Sequence, residues 1–505
     1  MGLISATTSF FLSRRVRAIE AAMLDPARTQ EEVLENLLSS TSSTLFGKQH
    51  GLGDVHHYED LAERVPIRTY EEMWPFIERV LYGERDVLWP GKTLLFSKSS
   101  GTTGQRSKFI PVTDEALKDC HYKGGKDLIA LYLHNHPGTN VLDGKSLAVG
   151  GSIQPNPHQP GGESFIGDVS ALIMNWLPAW AQFMRTPSIE IAVMADWEEK
   201  IEKIATLASK EDVTSLSGVP TWMVLLMQRV LEMHNATDLR EIWPNLECFL
   251  HGAVSFAPYR RMFNSFVKGA PLQFMETYNA SEGFFGMQDS TQNADGEMAL
   301  MLNYGVFYEF IPASEHRRTS EKAIPLWEVE TGVNYAVVIS TNSGLWRYAL
   351  GDTIRFTSTA PYRFKISGRT KHFINAFGEE VVVENAEVAL SDACEKTASV
   401  VRDFTVAPVY MGSGRNASHE WVIEFEREPE NMSQFAYLLD EKLREVNSDY
   451  DAKRYRDLAL HMPVVKPVLK GTFYRWLQSK GKLGGQHKVP RLSNSREFVD
   501  EILAI

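Results

Sequence analysis

Only three cysteines occur in the 505 residues, Cys120, Cys248 and Cys394, and none forms a C-x-x-C pair. This spacing argues against a disulfide framework or a cysteine zinc site and fits a reducing compartment. No run of about 18 apolar residues is present, so a membrane span is not expected. An excess of positive charge is also missing. The formal charge is -12, which argues against binding nucleic acid through bulk electrostatics. Thr8 to Leu12 is too short an apolar run for a secretory signal, and Ala6 stands where a myristoylation signal needs serine or threonine. Arg14-Arg15-Val16-Arg17 is followed by Glu20 and Asp25 and reads as part of a first surface helix. The expected location is the cytoplasm. No internal repeat or long low-complexity tract is seen.

A chain of this length exceeds one ordinary hydrophobic core, so at least two domains are expected. From Thr93 to about Ser358, apolar runs and helical patterns alternate. Val213 to Leu216, Leu246 to Leu250, Leu272 to Tyr278 and Tyr335 to Ser340 read as buried strands. Helices are predicted over Asp196–Ala208 and after Pro220. The predicted class is α/β, with a large N-terminal domain of mostly parallel sheets and flanking helices. Beyond residue 371, helices over 383–396 and 432–446 and strands over Phe404–Tyr410 and Trp421–Phe425 suggest a smaller α+β domain. The expected division is 1–367, a hinge at 368–371 (Gly368-Arg369-Thr370-Lys371), and a mobile domain at 372–505.

The most telling segment is Ser99-Ser100-Gly101-Thr102-Thr103-Gly104-Gln105-Arg106-Ser107-Lys108. It lies between two predicted strands. A loop rich in N–H groups and hydroxyls, closed by a lysine, suits a polyphosphate. It is neither G-x-x-x-x-G-K-[ST] nor G-x-G-x-x-G, and a plain polar hairpin is the bland alternative. A second segment, Tyr278-Asn279-Ala280-Ser281-Glu282-Gly283, follows a predicted strand. There Glu282 is a candidate Mg²⁺ ligand and Tyr278 a flat face for a purine. In a third, Trp346 to Asp352, Gly351-Asp352 reads as a tight turn whose carboxylate accepts from ribose hydroxyls. In His251-Gly252-Ala253, the glycine would let a backbone edge approach the adenine. Lys488, in the glycine-flanked basic stretch Lys480 to Arg491, is a candidate mobile point charge. Each of these segments has a structural reading as well: a solvated helix-start carboxylate, an aspartate in a turn, a basic tail.

Taken in order, these segments resemble the adenylate-forming superfamily of acyl-CoA synthetases, luciferases and nonribosomal adenylation domains. With Trp243-Pro244-Asn245, Phe307 to Phe310, Gly344 to Asp352, Asn447 to Tyr450 and Gln486 to Arg491, the set looks like the Gretchen Hagen (auxin-responsive) family of acyl acid-amido synthetases, in a bacterial-type member. The likeness runs from about residue 60 to 492. It implies nucleotide contacts from Ser99, Ser100, Gly101, Thr102, Thr103, Gly104, Gly252, Ala253, Tyr278, Asn279, Ala280, Ser281, Asp352 and Arg369. Catalytic roles would fall to Lys108, Lys488 and Glu282, with Glu282 also holding the metal. Plant members usually carry arginine where Ala349 stands and lysine where Glu380 stands; the nucleotide site is expected to survive both changes, whereas plant-hormone substrate preference is not assumed to transfer.

The resemblance implies that ATP, with Mg²⁺, activates a small carboxylic acid as an acyl-adenylate. An amine, typically an amino acid, then displaces AMP to form an amide. No nucleic-acid or membrane partner and a monomeric state are expected. An acyl-CoA ligase would share the first step and differ in the second; a non-catalytic nucleotide binder would perform neither. Candidate bases for the amine are His121, His134, His136, His158, His251 and His487. Candidate acyl-pocket residues are Val219, Thr221, Trp222, Met223, Trp176 and Trp180.

Overall fold

The computed structural model describes every residue except 1–2, 100–107, 160, 195, 254–255, 257–258, 295, 313–321, 370–372, 375–378, 380, 410–416, 448–449, 452–453, 455–459, 482–488 and 494. Within the elements, the side chains of residues 3–11, 99, 180, 197, 221, 369 and 373 are also outside the description.

A mixed sheet of twelve strands forms the spine of the large half. Five strands run parallel at one end: Arg185–Thr186, Lys145–Ala148, Val213–Gly218, Cys248–Gly252 and Gln273–Ala280. Helical crossovers such as Trp197–Ala208 and Pro220–His234 connect them. Asp196 caps the first by accepting from Glu199 N, and Pro220 opens the second. After Ala280 the chain turns back at once into Gly283–Met287, and the rest of the sheet is antiparallel. The α/β class therefore holds, with the parallel portion confined to one half of the sheet. A two-residue connection cannot cross over, so a tight turn after Ala280 dictates an antiparallel neighbour.

Five N-terminal helices, Leu3–Leu24 through Tyr70–Leu81, cover the antiparallel half. Buried Gln30 pins them there, donating to Leu302 O (2.7 Å) and Val306 O (3.0 Å) and accepting from Tyr308 N (2.8 Å). A separate four-stranded sheet carries the hairpin Leu95–Ser99 and Lys108–Val112.

The small half holds helices Val383–Lys396 and Met432–Val446, as expected from their spacing, and a sheet of Val400–Val409, Ser418–Arg427 and Val464–Val468. The predicted hinge begins inside a strand: Gly368 and Arg369 end Tyr362–Arg369 and pair with Thr353 and Asp352. Thr370 and Lys371 lie outside the described residues.

Candidate active site

The hairpin places Ser99 opposite Lys108. The loop that it closes, with Ser100, Gly101, Thr102, Thr103 and Gly104, lies outside the described residues, as does the Ser99 side chain. Lys108 itself is placed. Its Nζ lies 3.4 Å from Tyr348 Oη and 5.4 Å from the Tyr70 ring centroid. It has no carboxylate partner among the described residues. Tyr70 Oη accepts from Phe109 N at 2.8 Å, which fixes the ring beneath the lysine. Burial, with the nearby Glu282 carboxylate, pushes the Tyr348 hydroxyl far above its usual range.

Two segments predicted separately meet here. The Tyr278 hydroxyl donates to Asp352 Oδ2. The Tyr278 ring also packs against Phe285 (5.0 Å, 66°), so its faces are partly engaged within the protein. Ser97 Oγ donates to Ser281 Oγ at 2.8 Å, tying the hairpin to the tip of Gln273–Ala280. The neighbouring Asn279 Oδ1 is 2.9 Å from His121 Nδ1.

Gly351-Asp352 is not a turn between strands, as the sequence suggested. Both residues lie within the continuous strand Tyr348–Thr359. Opposite Ala336 stands Thr353 and opposite Val338 stands Ala349, so the intervening residues bulge, with Gly351 at φ 88°. A bulge re-aims a side chain without ending the strand, and Asp352 lines the cavity.

Gly252 does not line the cavity; Ala253 does, at φ 74°. The close approach made by Gly252 is to its neighbouring strand, where a Cβ would lie 2.4 Å from Thr277 O. His251 is buried and stacked on Phe256 (4.0 Å, 26°). Burial, helped by Arg260, lowers its pKa to about 3, and burial lowers that of His121 to about 4. Both imidazoles are neutral at pH 7 and are poor bases. His134, His136 and His158 do not line the cavity, and His487 lies outside the described residues. Of the acyl-pocket candidates, Trp222 lines the cavity, whereas Met223 is fully buried in the core. Trp176 packs on Phe165. Val219 packs against the same core as Met223. The Thr221 and Trp180 side chains lie outside the description.

Arg347, in the Trp346–Asp352 segment, serves the fold. Its side chain, 6% exposed, meets Glu309, 0% exposed, at 2.7 Å. It also donates to Ala62 O (2.9 Å) and Val65 O (2.7 Å), at the N-terminal helices. Arg347 belongs to a segment read as part of the site, and Glu309 to the stretch from Phe307 to Phe310 that carries the family resemblance.

The cavity measures about 910 Å³ and opens between the two halves. Lys108, Ala253, Tyr278, Glu282 and Asp352 line it from the large half, and Glu387, Asp403 and Arg491 from the small half. The Arg369 side chain and Lys488 lie outside the described residues. Among the described residues, no group of three or more His, Cys, Asp or Glu is arranged to hold a metal. An ion held by Glu282 would therefore have to take its remaining ligands from a phosphate or water rather than from a closed protein site. No helix among the described residues is long and apolar enough to cross a membrane.

A large domain and a small one facing each other across such a cleft define an adenylate-forming ligase fold. A 2-hydroxyisobutyryl-CoA ligase in its postadenylation state, with 2-HIB-AMP, aligns over 94% of this chain and 92% of its own (TM-score 0.60, 11% identity). The GH3.15 acyl acid amido synthetase aligns over 97% and 95% (TM-score 0.77, 19% identity). Family models match in three stretches: the GH3 family N-terminal domain over 15–272, the central domain over 299–369 and the C-terminal domain over 384–497. The chain belongs to the GH3 family. Similar sequences include the indole-3-acetic acid-amido synthetase GH3.3 of Arabidopsis thaliana, 24% identical over 95% of this chain and 91% of that protein. The jasmonoyl–L-amino acid synthetase JAR4 of Nicotiana attenuata is 23% identical over 97% and 95%. The expected bacterial-type placement is not borne out, since these relatives are plant enzymes.

Proposed function

We propose that this protein is an AMP-forming acid–amino acid ligase. It activates a small carboxylic acid with ATP as the acyl-adenylate and passes the acyl group to the amine of an amino acid. The supporting observation is the interdomain cavity in which Lys108, Glu282 and Asp352, read separately in the sequence, share one wall.

The acid arrives ionised, because a carboxylic acid has a pKa near ~4 and needs no base at pH 7. The difficulty is bringing one anion to another. Lys108 is a cation held by tyrosine rings and without a carboxylate partner among the described residues, so its charge is available to the α-phosphate. The hairpin loop and Lys488 are assigned to the same task, with Asp352 and Tyr278 toward the nucleoside and Ser99 to Gly104 toward the phosphates. Glu282 would hold Mg²⁺, which when bound shields the phosphate charges. The remaining assignments are Gly252, Ala253, Asn279, Ala280, Ser281 and Arg369 to the nucleotide site, a hinge at 368–371, and a mobile domain at 372–505. A monomer in the reducing cytoplasm completes the reading.

The test uses purified protein, ATP, magnesium and a panel of organic acids. Acid-dependent exchange of pyrophosphate into ATP is expected, followed by an amide product when glycine or glutamate is supplied. A thioester formed with CoA, and no amide, would replace the amine by a thiol. No exchange with any acid would end the adenylating reading.

A further inference from the structure

The two halves touch through polar pairs of unequal burial. Arg355 Nη2 lies 2.7 Å from Glu384 Oε1, Arg402 Nη2 2.8 Å from Gln228 Oε1, and Tyr474 Oη 3.1 Å from Glu198 Oε1. These sit at the rim, in contact with water, where such pairs orient little.

Arg491 is different. Its Nη2 donates to Tyr259 Oη at 2.9 Å, and its Nη1 donates to Phe404 O at 2.9 Å and to the Asp403 carboxylate. The guanidinium lies 4.6 Å from the Phe404 ring centroid. Tyr259, from the large half, is 3% exposed, and the Arg491 side chain is 14% exposed. The backbone around Arg491 is laced to the small-half sheet. Val406 N donates to Arg491 O (2.9 Å), Ser493 N to Val406 O (3.0 Å) and Thr405 Oγ1 to Pro490 O (2.6 Å). Arg491 is thus rigid on its own side and reaches across to a tyrosine six residues beyond Ala253.

We propose that Arg491 and Tyr259 form the joint that sets the small half over the cleft for acyl-adenylate formation. Both act as positioning residues. The inference rests on the adenylating reading above. Val489 and Arg491 line the same cavity as Lys108 and Asp352. The joint therefore holds the chain immediately after Lys488 against the wall where ATP is to bind. On this proposal the joint serves the first half-reaction alone, because in the second the adenylate is already made and the amine has only to enter. The two half-reactions then depend unequally on the joint.

Tyr259→Phe removes one hydroxyl and leaves the ring in place, with Asp403 and Phe404 O still holding Arg491. The expected result is a ~10-fold lower kcat for acid-dependent pyrophosphate exchange, as suits the loss of a hydrogen bond to a charged donor. KM for ATP and the single-turnover rate of amide formation from supplied acyl-adenylate should stay within about twofold of wild type. Arg491→Lys keeps the charge but loses the planar fork and should shift the same step. A second readout needs no catalysis. Dyes at Met233→Cys and Tyr437→Cys, both exposed positions in opposite halves, report the interdomain distance in a Cys394→Ser background. Tyr259→Phe should broaden or lengthen that distance. Unchanged exchange, an equal loss in both half-reactions, or an effect on KM alone would overturn the proposal. If wild-type protein shows no exchange, the adenylating reading has failed, and an unchanged distance would then remove the joint as well.

Discussion

Lys108 illustrates how much the surroundings of one residue decide. A surface lysine is screened by water, but this one lies against the rings of Tyr70 and Tyr348, so its charge is directed at the cavity. Lys108→Ala should lower acid-dependent exchange by about 100- to 1000-fold, the usual effect of losing one electrostatic donor. Its far-ultraviolet circular dichroism and melting curve should match wild type; near wild-type exchange would remove Lys108 from the site. His121 makes a pH prediction. Burial holds its folded pKa at about 4, below the unfolded value of about 6.5. Above pH 6.5 both states are neutral. As pH falls from 6.5 to 4 only the unfolded state gains the proton, so stability drops by about 1.4 kcal/mol per pH unit from this group. Urea titrations of wild type and His121→Gln at several pH values should show a shallower slope in the variant; parallel slopes would contradict this assignment. The sequence made residue types at the site legible, but not their partners. Tyr278 and Asp352 are 74 residues apart, and their contact depends on sheet order, which no local pattern encodes.

Elements were legible where local chemistry and burial agree. Helix Met432–Val446 begins at Asn431, whose side chain accepts from Gln434 N at 3.1 Å, and its apolar spacing matches its buried face. Glycine before aspartate signals a turn and so suggests a break at Gly351, whereas pairing on both flanks carries the strand through a bulge. Arg347 sits at φ 42°, an uncommon conformation for a residue with a side chain, and its contacts hold it there. Two elements depend on it: the strand Val306–Pro312 through Glu309, and the N-terminal helices through Ala62 O and Val65 O. Arg347→Met would leave the Glu309 carboxylate buried without its cation, so a loss of about 3–5 kcal/mol is expected. Denaturant unfolding measures it, and a loss below about 1 kcal/mol would mean that Glu309 finds another donor. Gly252→Ala tests a strand contact: its Cβ would meet a main-chain oxygen that cannot step aside. A drop of about 1–3 kcal/mol is expected from overpacking, and an unchanged melting temperature would show that the strands can separate at this point.

At the scale of the whole molecule, the two halves share more than a cleft. One hydrophobic cluster joins Trp222, Leu226 and Phe249 of the large half to Phe473, Trp476, Leu477 and Val489 of the small half. The change of strand and helix pattern near residue 360 and the interruption at Gly368 to Lys371 mark a boundary but give no hint that apolar surface continues across it, because either half alone reads as an ordinary amphipathic set. Any swing of the small half has to separate part of this cluster, and exposing apolar area costs about 25 cal/mol per Å². Leaving the arrangement seen here would therefore carry that cost, which substrate binding would have to offset if the small half swings. The same cluster should make the protein unfold as one unit. Leu477→Asp puts a carboxylate into this shared cluster from the small-half side. An ionised group cannot remain in that setting unpaired, so the halves should part and calorimetry should resolve two transitions where wild type shows one. The lower transition should move up again at acidic pH, where the new carboxyl is neutral. A single transition at a reduced temperature, insensitive to pH, would place the coupling elsewhere, in the polar rim and the Arg491–Tyr259 contact.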